Sequence, residues 1–190
     1  QKIIDGCRQV VENYKPTIDI DPSWEMVELK DIIKLSSGQG LTQKDFKEGE
    51  YEVYGGNGLT GHHNEYLLES RTIVIGRVGA YCGSVHLTGE KSWITDNGLY
   101  VKDLFQPINL EYLVLVLRNL NLNQYAKVGG QPSISQGDVL SLSIPLPILE
   151  VQNEIAEKIV GEKKLVDANE QLINLYAQKI QDRINKVWGE

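Results

Sequence analysis

The chain has few of the residues that disulfide frameworks, metal centres or membrane spans require. Its two cysteines, Cys7 and Cys82, lie far apart with no CxxC pair, which predicts neither a disulfide framework nor a zinc knuckle and fits a reducing cytoplasm. No apolar run approaches the length of a membrane span, and no signal peptide is evident, so we expect no membrane association. His62 and His63 are adjacent, and neighbouring side chains of a strand point to opposite faces, so we expect no metal site.

Sequence motifs for catalysis are also missing. The chain contains no G-x-S-x-G nucleophile elbow and no phosphate-cradling P-loop. The glycine-rich stretch GRVGAYCG, residues 76–83, has the wrong spacing for a dinucleotide fingerprint. Asn97-Gly98-Leu99-Tyr100 lacks both prolines of the loop with which amino-methyltransferases hold a flipped base, so we interpret it as a turn followed by a strand. We therefore predict a protein that is not an enzyme and binds no cofactor.

Positive charge is in short supply. The chain has 19 Lys and Arg against 26 Asp and Glu, a formal net charge of −7. A nucleic-acid partner would therefore have to be met by a local basic face and not by the whole molecule.

Three segments are predicted, with boundaries at 1–22, 23–149 and 150–190. The first is a short helix over residues 1–14, which Lys15-Pro16 ends because the residue before proline disfavours helical geometry, and a linker. The second has β-rich signals: TIVIG at 72–76 is typical of a central strand, and YGGNGLTG at 54–61 of a tight turn. Within it, NLEYLVLVLRN at 109–119 has helical periodicity, with Asn109 as N-cap. The class is α+β, a small mixed or antiparallel sheet domain with short helices.

The third segment is predicted to be one long amphipathic helix. Its apolar positions alternate in steps of four and three, no proline interrupts them, and the positions between are polar. At 1.5 Å per residue such a helix would extend roughly 50 Å, too far for this domain to cover, so we expect a second helix to pair with it in an antiparallel coiled coil. The alternative is a C-terminal helix that packs along its own domain. The predicted pairing positions are Ile155, Ile159, Val166, Asn169, Ile173, Tyr176, Ile180 and Val187.

The loops of the sheet domain contain several polar side chains that can form hydrogen bonds to DNA bases or phosphates. Arg and Lys suit guanine edges, Asn and Gln suit adenine edges, and Ser suits phosphates. The candidate DNA-binding residues are Ser37, Gln39, Tyr54, Asn57, His62, His63, Arg77, Lys91, Trp93, Lys127, Gln131 and Ser133.

The order of motifs resembles one half of the specificity subunit of type I restriction–modification enzymes. The motifs are WEMVELKDI at 24–32, YEVYGGNGLTG at 51–61, IVIGRVGAYCGSV at 73–85, GGQPSIS at 129–135 and IPLPILEVQNEIAEKI at 144–159. The resemblance implies a target recognition domain that reads one half of a bipartite double-stranded DNA site, followed by one conserved spacer helix. The opening residues resemble the end of an upstream helix, so we expect a natural half-subunit or a C-terminal fragment.

The resemblance also implies the partners. These are a methyltransferase (M) subunit, which would bind S-adenosylmethionine and modify adenines, an endonuclease (R) subunit where one exists, and a second recognition module or a second copy of the chain. An alternative from another class stays open, a protein-interaction adaptor that dimerises through the helix and binds no DNA. The acidic charge favours that alternative.

Overall fold

The structure, a computed structural model, describes residues 6, 8, 9, 11, 13–127 and 130–188, and of Trp188 the backbone alone. Contacts divide the chain into two units, residues 19–153 and residues up to 18 together with those from 154 onward. Most of the predicted N-terminal helix lies outside the described residues, although residues 6, 8, 9 and 11 are helical. Among the described residues, no helix is both long and apolar enough to cross a membrane.

Over residues 19–127 and 130–153, the larger unit contains nine short strands and two short α-helices. The strands are β1 Met26–Glu28, β2 Ile33–Ser37, β3 Tyr51–Gly55, β4 Gly58–His63, β5 Ile73–Gly76, β6 Val85–Leu87, β7 Trp93–Ile94, β8 Gly98–Leu104 and β9 Ser143–Pro145. The helices are α1 Leu110–Asn119 and α2 Gln136–Leu140. This composition, with the long helix α3 Leu149–Trp188, confirms the predicted α+β class.

The strands form three small sheets. Their orders are β2-β8-β5-β6, β4-β3-β7 and β1-β9. All pairs are antiparallel except β3 with β7, which run parallel. The two larger sheets pack through one apolar cluster, in which Val74 and Tyr100 of the first meet Tyr54 and Ile94 of the second.

Helix α1 closes the core. The Asn109 side chain accepts a hydrogen bond from the Tyr112 N–H at 3.0 Å, so the predicted N-cap is present. The six residues from Tyr112 to Leu117 are all buried. The Tyr112 hydroxyl donates to the Pro145 carbonyl of β9 at 2.9 Å, which satisfies it in the interior. Burial raises the pKa of Tyr112 to about 12.

The second unit is built around α3. Tyr14 donates a hydrogen bond to the Glu162 carboxylate at 2.5 Å, and Arg8 donates to the Asn174 side-chain oxygen at 3.4 Å. The earlier residue, Arg8, contacts the later position of the helix, and Tyr14 contacts the earlier one. The N-terminal segment therefore runs antiparallel to the helix. The carboxylate raises the pKa of Tyr14 to about 12 through that hydrogen bond.

Candidate nucleic-acid interface

Loops from both larger sheets meet at one end of the larger unit, residues 19–153, which we call the recognition unit because the motifs predict a recognition domain there. We call this surface the loop face, residues 37–39, 56–57, 77–83, 96–97 and 130–133. Backbone hydrogen bonds join them: Gly38 N–H to Gly98 carbonyl at 3.0 Å, Arg77 N–H to Asn97 carbonyl at 2.9 Å, and Gly79 N–H to Pro132 carbonyl at 2.9 Å. Strands β2, β3 and β5 end here and β4, β6 and β8 begin here. In a hairpin, the first strand ends and the second begins at the same end of the sheet, so the connecting loops lie at that end.

Glycines allow these loops to approach one another. The Cβ that a side chain would add at Gly76 would lie 2.3 Å from the Tyr81 carbonyl oxygen and 2.4 Å from that of Gly56. Gly79 and Gly83 both have φ of +84°, a conformation that favours glycine. The stretch GRVGAYCG therefore serves as a set of tight turns between β5 and β6, and its glycines let the neighbouring loops close around it.

Seven predicted DNA-binding residues lie on or beside the loop face. Asn57 occupies the exposed turn between β3 and β4, and Arg77 and Gln131 are exposed. Lys127 lies beside this face, because its backbone N–H donates a hydrogen bond to the Ser133 carbonyl at 2.8 Å. The full group is Ser37, Gln39, Asn57, Arg77, Lys127, Gln131 and Ser133.

Three other predicted residues gather at the opposite end of the β4-β3-β7 sheet or along it. Lys91 lies with its ammonium 5.9 Å from the Tyr66 ring centroid. His62 is exposed and pairs in register with Glu52. The Trp93 indole donates to the Gln39 carbonyl at 3.1 Å, so Gln39 connects this cluster to the loop face. Strand β3 separates the two ends by about 16 Å, at 3.3 Å per residue.

Tyr54 and His63 need correction. They are 7% and 4% exposed, and Tyr54 belongs to the cluster between the sheets. The Tyr54 hydroxyl donates to Glu52 at 2.7 Å and accepts from the Gly89 N–H at 3.2 Å, while His63 accepts from the Lys47 N–H at 3.0 Å. Both side chains are therefore satisfied inside the fold, so we remove them from the proposed interface.

The charge of the loop face is modest. Arg77 and Lys127 are exposed cations, and the Lys127 ammonium lies 3.9 Å from the Asp138 carboxylate. Ser135 holds the pKa of Asp138 below its ordinary value, through hydrogen bonds from its hydroxyl and its N–H. Among the described residues, no group of three His, Cys, Asp or Glu side chains is placed to hold a metal ion.

Three side chains that the sequence analysis missed adjoin the loop face. Tyr81 is 55% exposed in the loop between β5 and β6. Arg118 and Asn121, at the end of α1, line a pocket beside that loop. An aromatic residue between two glycines, as in Gly79-Ala80-Tyr81-Cys82-Gly83, was the available signal for the first. No local pattern indicated the other two, because their proximity depends on how α1 packs.

The long helix presents its predicted pairing positions unevenly. Ile155, Ile159, Val166 and Ile173 are half-buried, and so are Glu162 and Ala177. The other four predicted positions, Asn169, Tyr176, Ile180 and Val187, are exposed. We call these half-buried positions of α3 the half-buried line; beyond Ile173 it continues at Ala177 and not at Tyr176. The N-terminal segment of the same chain contributes to covering it.

The recognition unit and the helix together match known proteins. The family model for the type I restriction modification DNA specificity domain matches residues 22–175. The specificity subunit of the type I restriction enzyme EcoprrI from Escherichia coli is 32% identical over 133 residues, covering 67% of this chain and 33% of that protein.

Two solved structures share the fold. An S subunit of a type I restriction–modification system from M. genitalium aligns with TM-score 0.64 at 21% identity, covering 92% of this chain and 46% of that one. A chain from a type I R-M system, solved in a study of complex assembly and conformational transition, aligns with TM-score 0.67 at 16% identity, covering 95% of this chain and 50% of that one.

The fold and its matches define a DNA specificity module. This chain belongs to the type I restriction modification DNA specificity domain family, which confirms the resemblance drawn from the motifs. It spans about a third of the curated relative and about half of each solved chain.

Proposed function

We propose that this chain reads one half of a bipartite double-stranded DNA target and positions adenine methyltransferase subunits on it, with no catalysis of its own. The observation that carries the proposal is the membership of the specificity-domain family over residues 22–175. The loop face supports it, because Asn57, Arg77 and Gln131 present side chains suited to base edges on rigidly joined loops. S-adenosylmethionine belongs to the methyltransferase subunit in this proposal.

The helix α3 would act as a spacer that pairs with another helix. Its half-buried line and the antiparallel contacts of the N-terminal segment support a coiled-coil role. We propose that the second recognition module, or a second copy of this chain, supplies the other half of the target, and that an endonuclease subunit joins the assembly where one exists.

Selection from a randomised DNA library tests the proposal. The full chain is used alone and with a cognate methyltransferase subunit, at low and at physiological salt. Enrichment of a short motif, as a single copy or as two spaced copies, is the expected outcome. No enrichment in either arm would favour an adaptor that binds no DNA, the candidate that the net charge of −7 supports.

Arg77→Ala should weaken binding to the enriched sequence by about 1–3 kcal/mol if the guanidinium reads a base, and the loss should be confined to that sequence. Fluorescence anisotropy on enriched and scrambled duplexes measures this. The matched control is Arg71→Ala, at the other end of β5, where the arginine pairs with Glu111 at 3.0 Å on the surface. A loss shared by both duplexes would make Arg77 a phosphate contact, and unchanged affinity would remove it from the interface.

Ile173→Asp should strongly weaken self-association of the chain, because a second helix that packs on the half-buried side chains of α3 would have to cover an unpaired carboxylate. A cost of about 3 kcal/mol corresponds to a loss of roughly a hundredfold in the association constant. Light scattering across a concentration series measures it. Gln171→Asp, which adds the same charge at an exposed position, is the control. A dimer that survives Ile173→Asp would disprove the pairing role of this line.

A further inference from the structure

The loop between β5 and β6 is fastened on three sides. Its Gly79 N–H donates to the Pro132 carbonyl at 2.9 Å, the Ser84 hydroxyl donates to the Gly56 carbonyl at 2.6 Å, and the Asn123 amide donates to the Cys82 carbonyl at 2.9 Å. Despite these contacts, the Tyr81 ring remains 55% exposed. A rigid backbone that holds an aromatic ring in solvent is suited to contact with a partner, because little further ordering is needed on binding.

An open surface pocket lies beside this loop. It has a volume of about 310 Å³, and Tyr81, Ser84, Arg118, Asn121 and Asn123 contribute to its lining. None of the lining residues in the described part of the chain carries a carboxylate. The pocket therefore presents one guanidinium and a few polar side chains, and no carboxylate of its described lining would repel an anion.

Arg118 is the only cation lining this pocket among the described residues. Its Nε–H donates to the Val85 carbonyl at 3.0 Å, which fixes the guanidinium against the loop. The ion pairs found between described residues do not include it. Arg118 is exposed, so an anion can reach its guanidinium, although partial desolvation lowers the pKa of Arg118 below its ordinary value.

We propose that this pocket, which we call the Arg118 pocket, is a binding site for one phosphodiester of the DNA backbone. Arg118 supplies the charge, Asn121 supplies an amide donor, and Tyr81 forms the wall toward the DNA groove. Guanidinium donors match phosphate oxygens in geometry, and about half to two-thirds of hydrogen bonds to DNA go to phosphate and sugar. The pocket adjoins the loop face because Arg77 and Tyr81 belong to the same loop, so a phosphate seated there would fix the register of base readers on that face.

This inference rests on the proposed DNA-reading function. If a phosphate binds here, Arg118→Ala should weaken binding to enriched and scrambled duplexes alike, roughly tenfold at low salt, and should reduce the slope of log K against log[salt] by about one. Lys34→Ala is the matched control, since it removes one exposed cation at the far end of β2, whose ammonium lies 3.9 Å from the Asp103 carboxylate. If Arg118→Ala and Lys34→Ala change the slope of log K against log[salt] equally, the proposed phosphate site is wrong.

A second variant separates phosphate binding from damage to the fold. Asn121 has φ of +48°, which aspartate tolerates nearly as well as asparagine. Asn121→Asp would therefore place a carboxylate in the Arg118 pocket without altering the bond from Arg118 to Val85. It should weaken binding at least as much as Arg118→Ala. Wild-type affinity in Asn121→Asp would attribute the Arg118→Ala loss to the missing Val85 bond and would overturn the proposal.

The decisive measurement is a scan of the enriched duplex with neutral methylphosphonate linkages, one position at a time, against the full wild-type chain and Arg118→Ala. One linkage should weaken wild-type binding and have no further effect on the variant. If wild type binds duplexes and no linkage is coupled to Arg118, this inference fails and the proposed function stands. If wild type binds no duplex, with or without the methyltransferase subunit, the proposed function fails first.

Discussion

Gly83→Ala should destabilise the recognition unit by about 3 kcal/mol, a large effect for one methyl group. Gly83 has φ of +84°, and an added Cβ would lie 2.4 Å from the Asn123 nitrogen and 2.7 Å from the Leu122 carbonyl carbon. Both atoms belong to the backbone, so relief requires the β5–β6 loop to separate from the segment after α1. Thermal unfolding should show a midpoint lower by roughly 10 °C for a unit of this size.

Gly161→Ala is the control for that prediction. Gly161 lies within α3 with nothing inside 4 Å of an added Cβ, so alanine should stabilise the helix by about 0.5–1 kcal/mol. The two substitutions make the same chemical change with opposite expected signs. DNA binding by Gly83→Ala should also fall, because Arg77 and Tyr81 belong to the displaced loop. An unchanged unfolding midpoint in Gly83→Ala would show that the loop is not held as described.

Gln152→Ala should cost about 3 kcal/mol of stability. The Gln152 side chain is 2% exposed, accepts from the Asn109 N–H at 3.0 Å and donates to the Pro147 carbonyl at 2.8 Å. Removing it leaves the buried Pro147 carbonyl and the partly buried Asn109 N–H without a partner, and an unpaired buried group costs about 1–3 kcal/mol. Urea unfolding measures the change. The helix start QNEIAEKI thus has a structural reason for its first residue, which ties the first turn of α3 to the start of α1.

Asn153→Ala is the matched control, because its side-chain oxygen accepts from the same residue, the Asn109 amide, at 2.8 Å but on the surface. We expect a cost below about 1 kcal/mol there. Gln152→Glu adds a pH test. A glutamate can donate to the Pro147 carbonyl only when protonated, so its folded-state pKa would be raised and the variant should lose stability as the pH rises above about 4.3. Equal losses in Gln152→Ala and Asn153→Ala would contradict the role of burial.

The sequence alone determined the elements whose signals are local. The helix predicted at 109–119 is α1 Leu110–Asn119 with its Asn109 cap, the strand TIVIG contains β5, and the heptad stripe is α3. These succeed because capping, β-branching and helical periodicity act between residues a few positions apart. The motif order also identified the family whose model matches residues 22–175.

Only the tertiary structure decided which residues meet. β1 pairs with β9 across more than a hundred residues, and β3 pairs with β7 in parallel, a long-range choice that no local pattern encodes. The packing of the two larger sheets buries Tyr54, and His63 is buried as well, although the loop composition had suggested both as surface readers. The packing of α1 against β6 brings Arg118 beside Tyr81 to form the Arg118 pocket. Periodicity reports which face of an element is apolar, but the partner of that face depends on the packing of the whole chain.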